Sequence, residues 1–324
     1  MAHTRRVRIS VVVPCYRSRE TLPDLVAGLH AELPGITTAY EIILVVDGSP
    51  DDTYAVARQL ELERPDRVRA LLLRRNYGQH NALMAGLTRA QYEITVTMDD
   101  DLQHRPEEVP TLLAALTDDV DLVYGQATEE EHGLLRSLSS RTVKASLAIS
   151  LGVGSARSIS AFRAFRTRLR EAWDMNTDAF ASIDVLLSWS TTKITEVRVP
   201  MDARRYGASN YTFRKLVRHS LNMVTGYSTA PLRLVTWTGM GFALLGFLLF
   251  AFVVIKYAID GSTVQGFTFL AAAVSSFSGA QMLAIGILGE YIGRMHFRSM
   301  QRPVFLIRTT TEAALASSPQ AAQG

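Results

Sequence analysis

The sequence predicts an α/β protein with a mainly parallel sheet, followed by an amphipathic helix and two long apolar helices. Three observations support this fold class. Apolar, β-branched runs alternate with segments of helical spacing from the N-terminus to residue 124. Polar side chains cluster where the strand runs end. Two long segments without a charged residue occupy much of the C-terminal part of the chain.

The alternation of strand and helix patterns indicates βαβ units. The strand runs are rich in Val, Ile and Leu, which is typical of strands buried on both faces, and they cover residues 7–14, 41–47, 68–73, 94–98 and 121–124. Apolar residues at helical spacing predict helices at residues 20–33, 51–63, 81–90, 106–116, 135–151 and 183–191. We expect the Ala/Ser/Gln-rich tail after Thr309 to be disordered.

Composition excludes several classes of protein. The sole cysteine, Cys15, cannot form an internal disulfide or a cysteine-based zinc site. The net charge is only +3, and no basic block is interleaved with aromatic residues, which argues against a nucleic-acid partner. The scattered histidines lack metal-ligand spacing. The N-terminus does not resemble a signal peptide, so the first two hundred or so residues are expected in the cytoplasm.

Three adjacent carboxylates follow the fourth strand run. Asp99, Asp100 and Asp101 repel one another, so a fold tolerates them best beside a cation. Asp99, Asp101 and Gln103 alternate along the chain and can face one cleft, where they would offer hard oxygen ligands to Mg²⁺ or Mn²⁺ and its bound diphosphate. Ligands of open α/β sheets bind at this edge. The alternative is an acidic turn capping the helix at Pro106, although a cap needs only one acid.

Polar residues also follow three other strand runs. Asp47 and Gly48 form a tight turn after the second, although Ser49 or Asp51 could instead make this an ordinary helix cap. Tyr16 follows the first run and could stack on a base. The residues predicted from the four strand ends to bind a nucleotide are Pro14, Tyr16, Asp47, Asn76, Gln79, Asp99 and Asp100.

A basic loop and two apolar spans follow residue 200. The loop at 204–211 contains Arg205 and Ser209, which suit phosphate recognition, although a loop that meets lipid headgroups is the alternative. Residues 234–255 and 264–289 lack charge, and the first span is 22 residues, about 33 Å as a helix. Basic flanking residues place both ends in the cytoplasm. We expect a cytoplasmic-membrane protein with a catalytic domain at 1–211, an amphipathic helix at 212–232, a two-span hairpin at 233–292 and a tail at 293–324.

The sequence resembles membrane-bound family 2 glycosyltransferases with a GT-A, Rossmann-like fold. Within them it is most similar to the polyprenyl-phosphate glycosyltransferases, and especially to their aminoarabinose-transferase branch. The resemblance runs from about residue 7 to 307. Its carriers are residues 10–14 (SVVVP), 47–49 (DGS), 75–80 (RNYGQH), 99–103 (DDDLQ), 162–163 (FR), 207–211 (GASNY), 279–281 (GAQ) and 286–294 (GILGEYIGR).

The resemblance implies transfer of a sugar from a nucleoside diphosphate sugar to a polyprenyl phosphate, such as undecaprenyl phosphate, at the cytoplasmic membrane face. We expect a metal-dependent, inverting reaction. By the resemblance, Asp99 contacts nucleotide and metal, Asp101 and Gln103 contact metal and diphosphate, and Asp47 contacts the nucleoside. The residues assigned to the acceptor phosphate are Arg163, Arg205 and Ser209. A homo-oligomer is plausible, because two spans make a small membrane domain.

Three motifs depart from the family pattern. The usual Pro-x-Tyr-Asn-Glu ends in Arg17-Ser18 here, and Val46 replaces the first Asp of Asp-Asp-Gly-Ser. No acid precedes the Phe162-Arg163 pair, where many members carry a proposed base. A phosphate monoester is mostly a dianion at pH 7, so its attack needs no base. If a carboxylate assists, Asp184 or Asp100 is the candidate; Asp184 could equally be a helix N-terminal acid.

Two other functions fit parts of the sequence. The departures could indicate a catalytically inactive, membrane-tethered scaffold that binds nucleotide sugars. A processive polysaccharide synthase is the other, although such enzymes usually have more spans and a Gln-x-x-Arg-Trp motif that this sequence lacks.

Overall fold

The computed structural model describes residues 7–128, 159–173, 182–202, 230–260, 266–300 and 303–309. Contacts divide the chain into two units. The first comprises Met1–Lys144, Val153–Asn210 and Gln301–Gly324, and the second comprises Ala145–Gly152 and Tyr211–Met300. The first unit contains a sheet with its helices, and the second contains two long helices.

In the described part of the chain, eight strands form one sheet. The strands are β1 (Val7–Cys15), β2 (Thr37–Val46), β3 (Val68–Leu73), β4 (Ile94–Thr97), β5 (Leu122–Ala127), β6 (Arg163–Arg166), β7 (Ile194–Val199) and β8 (Ile307–Thr309). Their order across the sheet is β7-β5-β6-β4-β1-β2-β3-β8.

The centre of the sheet is parallel. β1 pairs in parallel with both β2 and β4, β2 pairs in parallel with β3, and β5 pairs in parallel with β7. β6 is antiparallel to β4 and β5, and β8 is antiparallel to β3. The mainly parallel α/β sheet is therefore confirmed. The chain builds outward from β1 to β3 and then returns to the other side of β1 as β4, so a crevice opens beyond the carboxyl ends of β1 and β4.

Helices cover both faces of this sheet. They are α1 (Leu22–Ile36), α2 (Thr53–Glu63), α3 (Gln79–Leu87), α4 (Val109–Ala115) and α5 (Ile183–Ser190), with 3₁₀ turns at Pro106–Glu108 and Thr167–Ala172. Alternate residues of the central strands point to opposite faces. Val11 and Val13 of β1 pack with side chains from α1, α2 and α4, whereas Val12 packs with side chains from α3 and α5.

The second unit contains α6 (Ala230–Asp260) and α7 (Phe267–Ser299). The rings of Phe242 and Phe277 meet edge to face with centroids 5.7 Å apart, so the two helices contact each other. Within the described residues, no helix combines the length and the hydropathy that a membrane crossing needs. The predicted helix at 135–151 and residues 212–229 of the predicted amphipathic helix lie outside the described residues.

Candidate active site at the carboxyl edge of the sheet

The acidic motif, Asp99 to Asp101, lies in a bend of the chain just after β4. Leu102 has φ of 60°, a left-handed conformation that costs a side chain about 1–2 kcal/mol. Its side chain is buried in the core, which holds the turn in place. The amide of Gln103 donates to Asp101 Oδ1 at 3.2 Å. Burial of Leu102 therefore fixes where the three carboxylates emerge.

The loop after β3 reaches the motif through Gln79. This first residue of α3 donates from Nε2 to Asp99 Oδ1 at 2.6 Å. The amide of Asp99 in turn donates to His104 Nδ1 at 3.4 Å. The structure thus brings together Gln79 and Asp99, two of the predicted nucleotide-binding residues.

Asp100 bridges the crevice between β4 and β1. Its Oδ2 accepts hydrogen bonds from the amide of Tyr16, at 3.0 Å, and from the hydroxyl of Ser18. Burial raises the pKa of Asp100, while these two donors oppose the rise. Ser18 stands where the family pattern has Glu, and sequence reasoning gave it no role. The geometry shows that it gives Asp100 a donor instead of a second carboxylate.

The rest of the loop after β1 is fixed by α2 and its preceding turn. The amide of Arg17 donates to Ser49 Oγ at 2.8 Å, and the amide of Ser18 donates to Thr53 Oγ1 at 2.9 Å. Tyr16 is 43% exposed and remains able to stack on a ligand, whereas Pro14 is buried within β1.

Asp47 organises the loop that carries Asn76 and Gln79. It is 3% exposed, and its Oδ1 and Oδ2 accept the amides of Tyr77 and Gly78, each at 2.7 Å. Burial raises the pKa of Asp47, and the two amides counteract this rise. Asn76 is exposed at the edge of the loop. Contact between Asp47 and a nucleoside stays a prediction.

Gly48 packs against the backbone of the loop after β3, at Arg75 and Asn76. It has φ of 56°, and a Cβ added there would lie 2.5 Å from Asn76 N and closer still to the carbonyl carbon of Arg75. We expect Gly48→Ala to displace this loop and to weaken folding by more than the roughly 1–2 kcal/mol of left-handed strain alone. Chemical unfolding of the purified protein measures the loss.

Gly78 shows backbone strain without a clash. Its φ of 92° and ψ of 156° lie in a region essentially restricted to glycine, and a Cβ there would meet no atom within 4 Å. Gly78→Ala should therefore destabilise the protein through backbone strain alone. For Gly48→Ala, a loss no larger than the roughly 1–2 kcal/mol of left-handed strain would mean that the close approach is unimportant.

The segment that contains Asp202 lies beside the acidic motif. The amide of Asp202 donates to the carbonyl of Gln103 at 3.0 Å, and Gln103 Nε2 donates to the carbonyl of Asp202 at 3.4 Å. Arg105 donates from Nε to Asp202 Oδ1 at 2.9 Å. The backbones of His104 and Met201 form an isolated antiparallel β-bridge. These contacts orient the side-chain amide of Gln103. No local pattern predicted Asp202, because its partners lie almost one hundred residues earlier in the sequence.

The predicted acceptor residues divide into two groups. Arg205 and Ser209 lie outside the described residues. Arg163 is 2% exposed; it donates from Nε to Thr97 Oγ1 at 2.9 Å and pairs with Asp184.

Arg163 and Asp184 thus contact each other in the interior. Tyr124 also donates to Asp184 Oδ1, at 3.3 Å, and burial raises the pKa of this tyrosine. Sequence reasoning gave the two charged residues separate roles, one at the acceptor phosphate and one in catalysis. Their burial as a pair favours a structural role for both.

His104 is buried beneath the motif and remains neutral. It is 5% exposed and stacks on Phe162 with centroids 5.1 Å apart. Burial lowers its pKa from 6.5 to about 4. Because Nδ1 accepts from the amide of Asp99, protonation of His104 would disturb the backbone of the motif.

This depressed pKa predicts a loss of stability in mild acid. The unfolded chain binds the proton near pH 6.5, whereas the folded chain resists it until about pH 4. The contribution of neutral His104 to the free energy of unfolding is complete above pH 6.5. It declines as the pH falls to about 4, by up to roughly 3 kcal/mol. Chemical unfolding across this range measures it. His104→Gln keeps a side-chain acceptor and should flatten the dependence; an unchanged slope would exclude His104 as its source.

The side chains of Asp99, Asp101 and Gln103 suit a metal ion that is bound together with a phosphate-containing ligand. In the described ranges, no group of three or more His, Cys, Asp or Glu side chains has the geometry of a metal site. Mg²⁺ usually takes only one or two protein carboxylates and completes its shell with water and phosphate oxygens. Two carboxylates and an amide, from Asp99, Asp101 and Gln103, fit that mode, because each carboxylate offers about four lone-pair sites.

An open sheet covered on both faces, with an acidic motif at the point where the strand order reverses, defines an α/β domain with a ligand-binding edge at that point. Residues 10–172 match the sequence model of the family described as Glycosyl transferase family 2. The chain belongs to this family and is a glycosyltransferase, as the sequence motifs predicted.

Relatives of known name match nearly the whole chain. The undecaprenyl-phosphate 4-deoxy-4-formamido-L-arabinose transferase of Photorhabdus laumondii subsp. laumondii is 34% identical over 93% of this chain and 93% of its own. The enzyme of the same name from Pseudomonas aeruginosa is 33% identical over 97% of this chain and 94% of its own. The match therefore includes the second unit as well as the sheet.

Solved structures of similar fold are more distant in sequence. Glucosyl-3-phosphoglycerate synthase from Mycobacterium tuberculosis, in complex with Mn²⁺ and UDP-glucose, is 20% identical with a TM-score of 0.50, covering 68% of this chain and 77% of that one. Mannosyl-3-phosphoglycerate synthase from Rubrobacter xylanophilus is 16% identical with a TM-score of 0.51, covering 72% and 75%. These similarities confirm the GT-A fold.

Proposed function

We propose that this glycosyltransferase moves a sugar from a nucleoside diphosphate sugar to a polyprenyl phosphate, such as undecaprenyl phosphate. The observation that carries the proposal is the similarity, over almost the full length of both chains, to enzymes named undecaprenyl-phosphate 4-deoxy-4-formamido-L-arabinose transferase. The acidic motif at the carboxyl edge of the sheet supports it, because that edge suits a nucleoside diphosphate.

Asp99, Asp101 and Gln103 would hold Mg²⁺ or Mn²⁺ together with the diphosphate of the donor. A bound divalent cation supplies stabilisation of the charge that develops on the leaving diphosphate. The complex of the mycobacterial synthase with Mn²⁺ and UDP-glucose gives a precedent for this chemistry on a similar fold. Gln79 would support Asp99, and the contact with Asp202 would orient Gln103.

The transfer needs no protein base. A phosphate monoester is mostly a dianion at pH 7, so one of its oxygens can attack the anomeric carbon directly. The bond from that carbon to the diphosphate oxygen breaks with its electron pair, and a single displacement inverts the anomeric centre. Asp184 is paired with Arg163, and Asp100 accepts from Tyr16 and Ser18, so neither carboxylate is placed as an isolated base.

The acceptor phosphate would bind beside the metal. Arg205 and Ser209 are its proposed ligands, because a guanidinium and a hydroxyl suit a phosphate group. Arg205 follows Asp202 by three residues in the sequence, and Asp202 is held against Gln103 and Arg105. This continuity supports a phosphate site next to the acidic motif.

We further propose that the segments 234–255 and 264–289 place the enzyme in the cytoplasmic membrane as a two-span hairpin with both termini in the cytoplasm. The proposal rests on the charge-free runs at 234–255 and 264–289 and on their basic flanks. The return of the chain to the sheet as β8 supports it, because a chain that leaves and re-enters one folded unit crosses a bilayer an even number of times.

Release of nucleoside diphosphate tests the proposed reaction. The purified full chain is incubated with UDP- and GDP-sugars, with and without undecaprenyl phosphate, and with Mg²⁺, Mn²⁺ or EDTA. We expect release that requires both the metal and the lipid phosphate. Binding of a nucleotide sugar without release under any of these conditions would indicate the scaffold instead.

A further inference from the structure

The chain returns to the first unit after α7 and adds the outermost strand next to β3. β8 pairs antiparallel with β3 in the register Leu73 to Ile307 and Leu72 to Thr309. Val304 is 4% exposed, and the partly buried Phe305 and Ile307 pack against the core on the face covered by α3 and α5. The segment 303–309, which we call the return segment, is therefore an integral part of the sheet.

The return segment contacts β3 at the point where the site loop begins. The carbonyl of Leu306 accepts a hydrogen bond from the amide of Arg74 at 2.9 Å. Arg74 is the first residue after β3 and opens the loop that leads to Gln79. The start of this loop is thus held by a residue more than two hundred positions later in the sequence.

A continuous set of contacts leads from this point to the acidic motif. The amides of Tyr77 and Gly78, in the same loop, donate to Asp47, and Gln79 donates to Asp99. The loop has little room to shift, because its backbone at residues 75 and 76 lies against Gly48. The position of the loop start therefore constrains the position of Gln79.

We propose that the return segment is a positioning element for the nucleotide donor: it fixes the start of the loop 74–78 and, through it, the contact of Gln79 with Asp99. The role at the donor rests on the proposed function. The physical reason is preorganisation, because a loop anchored at both ends loses less conformational freedom when a ligand binds. Without its eighth strand, β3 would also become an exposed edge.

The test releases the return segment by a single substitution in the full chain. Val304→Asp places a carboxylate at a buried position and should detach the segment, because an unpaired buried charge is strongly unfavourable. Leu306→Asp is the matched control: it adds the same charge two residues later, where the side chain is 45% exposed, and it keeps the carbonyl that accepts from Arg74.

Hydrogen exchange read by mass spectrometry gives the first readout and needs no enzymatic activity. In Val304→Asp we expect faster exchange both in the segment 303–309 and in the peptide 74–80, which includes the amides that donate to Asp47. Leu306→Asp should leave the peptide 74–80 protected. Exchange also separates this inference from the proposed function, because protection of the loop does not depend on which reaction the enzyme catalyses.

Steady-state kinetics give the second readout. We expect the KM for the nucleotide sugar to rise roughly tenfold in Val304→Asp, the effect of losing one to two net hydrogen bonds, with a smaller change in kcat. A released return segment with unchanged protection of 74–80 and an unchanged donor KM would overturn the inference. If Val304→Asp prevents folding, Val304→Ala makes the same comparison with a smaller expected effect.

Discussion

Asp101→Ala is expected to reduce sugar transfer by roughly 10²- to 10³-fold while the protein still folds. The variant removes a charge that would hold the metal at the developing diphosphate, and the loss of one such electrostatic group typically costs about 10² to 10³ in kcat. The turn should survive the loss of the contact between Asp101 Oδ1 and the Gln103 amide, because burial of Leu102 also anchors it. Initial rates of nucleoside diphosphate release with saturating donor and acceptor measure the effect.

Asp119→Ala is the control for this variant. Asp119 is an exposed acid between α4 and β5, so its removal changes the net charge equally without touching the site. Its activity should equal that of the unaltered enzyme. Near-normal transfer by Asp101→Ala would remove the metal assignment of the acidic motif.

Asp184→Ala is expected to have the largest effect on stability. It leaves the guanidinium of Arg163, which is only 2% exposed, without its carboxylate partner. Breaking a buried ion pair by removing one partner typically costs about 3–5 kcal/mol. The free energy of unfolding of the purified full chain in detergent measures the loss.

A double variant separates structure from catalysis at this pair. Arg163→Met combined with Asp184→Leu removes both charges and should recover much of the lost stability, because an apolar pair of similar volume often replaces a buried ion pair without net cost. A catalytic base would behave differently. If Asp184→Asn lowered kcat and abolished the acidic limb of the pH profile without a loss of stability, the structural role would be wrong.

Local patterns predicted most of the sheet. The strands β1 to β4 lie within a few residues of their predicted positions, because their apolar runs are long and are bounded by polar turns. β6 and β7 were both missed. The four residues of β6, Arg163 to Arg166, include two arginines that hide the apolar pattern. β8 was missed because it is only three residues long and follows an apolar helix.

The side chains at the edge of the sheet were predicted better than their partners. Asp99, Asp100 and Gln79 were identified from the ends of strand runs. The contacts that give them distinct roles join positions far apart in sequence, such as Ser18 with Asp100, 82 residues apart. Pairing at that distance depends on which strands become neighbours, and periodicity along one segment does not contain that information.

The structure gives three of the predicted site carboxylates internal partners. Asp100 accepts from the loop after β1, Asp47 accepts from the loop after β3, and Asp184 pairs with Arg163. A carboxylate after a strand end can hold either a neighbouring loop or a ligand, and the sequence alone does not distinguish the two. Here the two loop contacts shape the crevice in which Asp99, Asp101 and Gln103 would meet the donor.

Mass spectrometry of the lipid product tests the proposed function most directly. The purified full chain is incubated with undecaprenyl phosphate, a divalent metal and a panel of nucleotide sugars that includes a 4-deoxy-4-formamido-L-arabinose donor. We expect a lipid whose mass equals that of undecaprenyl phosphate with one added sugar residue, absent with EDTA and from Asp101→Ala. A polymer of repeating sugars, or an unmodified lipid with every donor, would contradict transfer of a single sugar to the polyprenyl phosphate.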